Sequence, residues 1–125
     1  MGMKVWEVLQ RTIAIEGKPL LLHVWDVECP ACLGSMASLA ALREKFEEQL
    51  HVVGLCVNTD PDAAKKYAEK YQINWPQICD GEGWNGELVM QLKVEHIPEI
   101  YLFNSEGRQI PTELDDIVSS LLVEN

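Results

Sequence analysis

Cys29-Pro30-Ala31-Cys32 sets two thiols three residues apart, a spacing shared by redox pairs, half zinc sites and structural disulfides. Zinc needs four ligands within tetrahedral reach, whereas Cys56, Cys79, His23, His51 and His96 are scattered along the chain. A bridge over two intervening residues closes too short a loop to constrain the unfolded chain much. Thiol–disulfide exchange is the better reading, and it requires no metal and no organic cofactor. It does require a position that favours a thiolate, because the thiolate is the nucleophile.

The flanking residues supply that position. Leu20-Leu21-Leu22-His23-Val24-Trp25 is apolar with one polar interruption, the pattern of a central strand covered on both faces. After Pro30 the period changes: Met36, Leu39, Leu42, Phe46 and Leu50 recur at three- and four-residue spacing, one face of a helix. Proline suits the first helical turn, where its missing N–H has no partner to lose. Cys29 is therefore expected at a helix N-terminus, among unpaired N–H groups that stabilise negative charge.

At 125 residues, 47% hydrophobic and 24% charged, the chain is expected to form one domain over residues 1–125. A net charge of −10 argues against nucleic acid, whose phosphates it would repel. The longest apolar run, near Leu20–Trp25, is far too short to span a membrane. No basic segment followed by an apolar core opens the chain, so a cytoplasmic location is expected as it stands. An extracytoplasmic location, or membrane attachment, would need a leader or anchor no longer present.

Val5, Val8, Leu9, Thr12 and Ile13 predict an amphipathic helix over about residues 4–16, ended by Gly17-Lys18-Pro19. A second buried strand is predicted over 51–57. Asp60 or Thr59 then caps a helix that has Pro61 at its first position and runs to Tyr71. A short extended segment over 76–79, a brief helix over 86–92 and a strand over 99–103 follow. The hairpin turn at 104–107 leads into 108–110, and Thr112 starts a last helix with Ile117, Leu121 and Leu122 inward. Strands alternating with helices before a terminal hairpin predict an α/β fold: a central mixed sheet with helices on both faces.

Taken together, the strand–C-P-x-C–helix unit, the Ile97-Pro98 step before a later strand and the Glu106-Gly107 hairpin resemble the thioredoxin fold. The Trp25-to-Cys29 spacing and Met36, four residues after Cys32, fit the same pattern. The stretch from Trp75-Pro76 through Asp80 and Val94 to Leu102-Phe103-Asn104-Ser105 is similar to thiol–disulfide oxidoreductases of the cytochrome-maturation and peroxiredoxin-related branch. The resemblance implies that Cys29 attacks, that Cys32 resolves and that Ile97-Pro98 is a cis peptide bond facing the pair. It further implies a substrate groove formed by Trp25, Ile97 and Pro98, with Trp25 as a platform under the active site and Glu95 and His96 on the rim. The implied partners are protein disulfides or thiols and an upstream thiol electron donor, in an electron-transport role carried out by a monomer.

Three residues depart from that family pattern. Glu28 stands where Trp is common, and a carboxylate beside Cys29 opposes thiolate formation. His23 stands where thioredoxins carry a buried acid; a histidine titrating near neutral pH could relay protons to Cys32, though a lone histidine in an apolar strand is more often a satisfied core residue. Ala37 replaces a helix-kinking proline, so a straighter helix is expected. Glu28 and Ala37 favour an alternative in which the chain is a thioredoxin-like binding module with little turnover. Peroxide reduction is disfavoured, because no P-x-x-x-T/S-x-x-C arrangement precedes either thiol. Cys56 reads as a small buried hydrophobe. A bridge between it and Cys79 is not expected, since strand interiors seldom bring two Cα atoms to bridging distance.

Overall fold

Leu20–Trp25 forms strand β1, and each of its side chains is buried. This follows from its neighbours. The computed structural model, which describes residues 5–46 and 48–110, places β1 in the middle of a five-stranded sheet of order β3-β2-β1-β4-β5. Strand β2 (His51–Cys56) runs parallel to β1, and β3 (Gln77–Ile78) parallel to β2. Strand β4 (Glu99–Phe103) runs antiparallel to β1, and β5 (Gln109–Ile110) antiparallel to β4. The sheet is mixed, as expected.

Alternation along β1 sends its side chains to two cores. Leu21 and Trp25 join Met36, Leu39 and Leu42 of helix α2 (Pro30–Lys45), with Ala64 of α3 (Pro61–Lys70) in the same cluster. Leu20, Leu22 and Val24 face the other way, against Leu9 of α1 (Val5–Thr12) and Leu88 and Val89 of α4 (Glu87–Leu92). Helices thus cover both faces. That is why β1 tolerates an almost continuous apolar run.

Several boundaries are tighter than the sequence pattern predicts. Helix α1 stops at Thr12 rather than 16, and beyond it Glu16 and Gly17 take left-handed conformations (φ 57° and 72°) before the chain enters β1. Thr12 is exposed, its hydroxyl donating to the Val8 carbonyl at 2.8 Å, and so does not belong to the buried face. Helix α2 ends at Lys45, leaving Phe46 and Leu50 beyond it yet still buried. Turn bonds from the Gln49 and Leu50 N–H groups to the Phe46 carbonyl, at 2.9 and 3.0 Å, hold them there. Asp60 caps α3 as read, accepting from the Asp62 N–H at 3.0 Å. The predicted helix from Thr112 lies outside the described residues.

Trp6 packs on Phe103 with ring centroids 5.9 Å apart and covers the β4–β5 hairpin. Gly107 lies directly beneath it at φ 88°, where a side chain would be strained by the backbone and would strike the Trp6 indole. The α2 core is equally intolerant of loss. Leu39 is fully buried at its centre. Leu39→Ala is expected to lower stability by about 2–5 kcal/mol, seen as a lower urea midpoint at unchanged slope.

Candidate active site

The loop leaving β1 is held by its own polar groups before it reaches the cysteines. Asp26 Oδ1 accepts from the Val27 N–H at 2.8 Å and from the Asn58 amide at 2.9 Å. The Asp26 carbonyl accepts from the Cys29 N–H at 3.2 Å. Cys29 is thereby fixed as the N-cap of α2, with extended dihedrals (φ −110°, ψ 102°) and Pro30 at the first helical position. The Cys32 N–H donates to Cys29 Sγ at 3.2 Å. A sulfur acting as the cap is a sulfur placed to carry negative charge.

The two thiols differ in access. Cys32 is fully buried within the α2 core, whereas Cys29 is half-buried and packs on its edge. Their sulfurs lie at bonding distance, with the Cα atoms 5.3 Å apart. Glu28 is exposed beside them. Helix α2 runs unbroken through Ala37, consistent with the missing proline.

Ile97-Pro98 is a cis peptide bond. Because Val24 pairs with Glu99 across the β1–β4 ladder, Pro98 lies at the end of β1 from which the cysteine loop departs. Ile97 and Pro98 are half-buried, and Ile97 packs against the cluster containing Cys32. His96 is exposed, with Nδ1 3.4 Å from Glu99 Oε2. Glu95 is likewise exposed.

Two expected site residues are placed differently. Trp25 does not line an open groove. It is fully buried, its indole N–H donates to Gln77 Oε1 at 2.8 Å, and its ring lies 5.2 Å from that of Tyr67. The sheet covers the end of β1 as completely as its middle, so Trp25 supports the cysteine loop from below. Gly54 makes room for this contact: any Cβ there would overlap the Gln77 amide.

His23 is not a group that titrates near neutral pH. Burial lowers its pKa to about 4. Its Nε2 lies 2.8 Å from Ser35 Oγ, and the Ser35 hydroxyl donates to the Cys32 carbonyl at 2.9 Å. That hydroxyl has one proton, so Nε2 must carry its own and donate. The bare Nδ1 then faces apolar surroundings with no partner among the described residues. His23 thus touches the Cys32 backbone through Ser35 rather than exchanging protons with the sulfur.

Neither Ser35 nor the Asn58–Asp26 contact was singled out from sequence. Ser35 stands three residues after Cys32, a spacing that allows the serine-to-carbonyl bond. The Asn58–Asp26 contact joins residues 32 apart and carries no local signal.

A signature described as the AhpC/TSA family matches residues 8–108. The chain belongs to the AhpC/TSA family. The thiol-disulfide oxidoreductase YkuV of Bacillus subtilis is 29% identical over 115 residues, covering 86% of this chain and 75% of that protein. The thiol:disulfide interchange protein DsbE of Escherichia coli is 29% identical over 102 residues, or 78% of this chain. The chain spans 50% of that DsbE, half its length. A solved thiol-disulfide oxidoreductase from Bacteroides fragilis superposes with a TM-score of 0.77 at 22% identity, covering 89% of this chain and 87% of that one. The fold is thioredoxin-like, these relatives are thiol–disulfide oxidoreductases, and the Cys29–Cys32 pair at disulfide distance is consistent with a redox-active dithiol.

Two outcomes follow from this geometry. In the reduced protein, iodoacetamide is expected to label Cys29 at least about tenfold faster than Cys32, since only a reachable thiolate reacts; peptide mapping at early times reads the ratio. His23 makes stability pH-dependent. Its folded pKa lies below the unfolded value of 6.5, so the unfolded chain binds the proton first and stability falls from pH 6.5 down to about 4. The loss over that window is about 3 kcal/mol at about 1.4 kcal/mol per unit. His23→Leu should flatten the profile between those pH values in urea titrations.

Proposed function

We propose that this protein is a reductant of disulfides in partner proteins. The reading is carried by the asymmetry of the pair: a reachable Cys29 at the head of α2 above a buried Cys32. Cys29 thiolate attacks one sulfur of the partner disulfide, and the other partner sulfur leaves as a thiolate and takes up a proton. Cys32 then loses its proton and attacks the Cys29 sulfur, expelling the second partner thiol. The partner gains two electrons, and the Cys29–Cys32 bridge holds the oxidising equivalent.

Half-buried Ile97 and Pro98, set by the β4 register beside the cysteine loop, form the groove for an extended partner segment. Unpaired backbone groups at a strand start can take such a segment by strand addition. Glu28 sets the direction of electron flow. An exposed carboxylate beside Cys29 makes the thiolate costlier, and a costlier thiolate makes the dithiol a better electron donor. Where the surroundings are oxidising, such a pair depends on an upstream thiol protein to recharge it. The monomer is sufficient for this cycle, since both cysteines and the groove come from one chain.

Insulin-disulfide reduction with dithiothreitol tests the chemistry. The wild type should accelerate precipitation, and Cys29→Ser should fall to the uncatalysed rate. A wild type no faster than that variant would make the chain a docking module instead. Redox titration against glutathione tests the direction, with a midpoint more reducing than about −180 mV expected. A more oxidising midpoint would reverse the assigned role.

A further inference from the structure

Cys56 ends β2, and Cys79 follows β3 by one residue. The strands run parallel with Leu55 opposite Ile78, so the next position of the same register sets Cys56 opposite Cys79. Opposite residues on neighbouring strands lie about 4.8 Å apart with side chains on one face, within the Cα span that a disulfide bridges. No bridge joins them here, in line with the expectation, but the register brings them opposite each other. They are two free thiols, one buried and one half-buried. Cys79 Sγ donates to the Asn58 carbonyl at 3.4 Å. Both pack in the cluster that contains Cys32 and is edged by Cys29, so all four cysteines of the chain meet one core.

We propose that Cys56 and Cys79 are a second redox-active dithiol, with Cys79 the entry thiol, Cys56 the resolving thiol and a low-molecular-weight disulfide of the glutathione class the oxidant. Access sets the order: Cys79 is half-buried and reachable, whereas Cys56 is buried. Acidity agrees, since burial pushes the Cys56 thiol up to about 12. Cys79 loses its proton and attacks one sulfur of the small disulfide, forming a mixed disulfide and releasing one thiol. Cys56 then gives up its proton and attacks the Cys79 sulfur, releasing the second thiol. One small disulfide gains two electrons and two protons, and one Cys56–Cys79 bond forms. This closure needs neither Cys29 nor Cys32.

The test is therefore made in the Cys29→Ser/Cys32→Ser double variant, with wild type beside it. Each is fully reduced, equilibrated with glutathione mixtures of rising oxidised fraction, acid-quenched, alkylated and weighed intact. The double variant should lose both alkylatable thiols with no added glutathione mass, and wild type should lose four. Proteolytic mapping of oxidised wild type should recover a Cys56–Cys79 cross-linked peptide pair. Adding Cys56→Ser to the double variant should stop the reaction at one glutathione on Cys79. The proposal is overturned if wild type keeps two alkylatable thiols in the most oxidising mixture. It is equally overturned if glutathione stays on Cys79 while Cys56 remains free, or if the bond forms only between chains. Wild type decides the matter even where a variant fails to fold.

Discussion

The burial of β1 on both faces governs most of what surrounds the dithiol. Two long ladders, parallel to β2 and antiparallel to β4, satisfy its backbone, while α2 and α3 on one side and α1 and α4 on the other cover its side chains. A strand clamped in this way delivers its C-terminal loop to one place. The Asp26 carbonyl then receives the Cys29 N–H, and the Asp26 carboxylate is held by Asn58 from the end of β2. The same burial exacts a constraint on polar side chains within the strand. His23 has to be neutral, and the indole N–H of Trp25 has to find Gln77. A buried polar atom left unpaired costs about 1–3 kcal/mol, which is why these contacts are specific pairs rather than solvent-facing alternatives.

At Cys29 two opposing fields meet, and their magnitudes decide which dominates. A helix N-terminus stabilises an adjacent negative charge by up to about 2 kcal/mol when partly buried. An exposed carboxylate at contact distance in water opposes it by about 1 kcal/mol, less at physiological salt. The cap sulfur is half-buried and takes the Cys32 N–H directly, whereas Glu28 stands in solvent. The helix terminus therefore wins locally, and Glu28 trims the advantage. Such a balance yields a working nucleophile without an extreme thiolate stabilisation, a combination that suits an electron donor better than a strong oxidant.

Most of the fold was legible because its signals are local or periodic. The apolar run of β1, the proline at the head of α2, the Asp60-Pro61 cap and the Glu99–Phe103 strand each rest on a few adjacent residues. The C-x-x-C pair was legible for the same reason. Environments that depend on register were not. Trp25 reads as a groove residue until β3 is known to lie across β2 and offer Gln77. His23 reads either as a core residue or as a proton relay until its Ser35 partner and its burial are known. The closeness of Cys56 and Cys79 depends on a two-residue strand whose alignment no nearby sequence specifies. Boundaries slipped by a few residues, as at the end of α1, which stops at Thr12, short of the left-handed turn at Glu16-Gly17 where the sequence pattern puts its end.

Asn58 connects the two thiol pairs through ordinary hydrogen bonds. Its carbonyl accepts from Cys79, and its side-chain amide serves Asp26, whose carbonyl receives the Cys29 N–H. The pairs nonetheless differ in what their surroundings favour. Cys29 caps a sixteen-residue helix, where a thiolate is stabilised. Cys56 ends a strand rather than capping a helix, and burial there favours the neutral thiol. Exchange at Cys29 is consequently the fast chemistry, and chemistry at Cys56 is gated by a proton that is hard to remove. One sheet end thus carries a pair built for rapid turnover beside a pair that responds slowly. The separation arises from the secondary structure on which each sulfur sits rather than from any difference in the side chain itself.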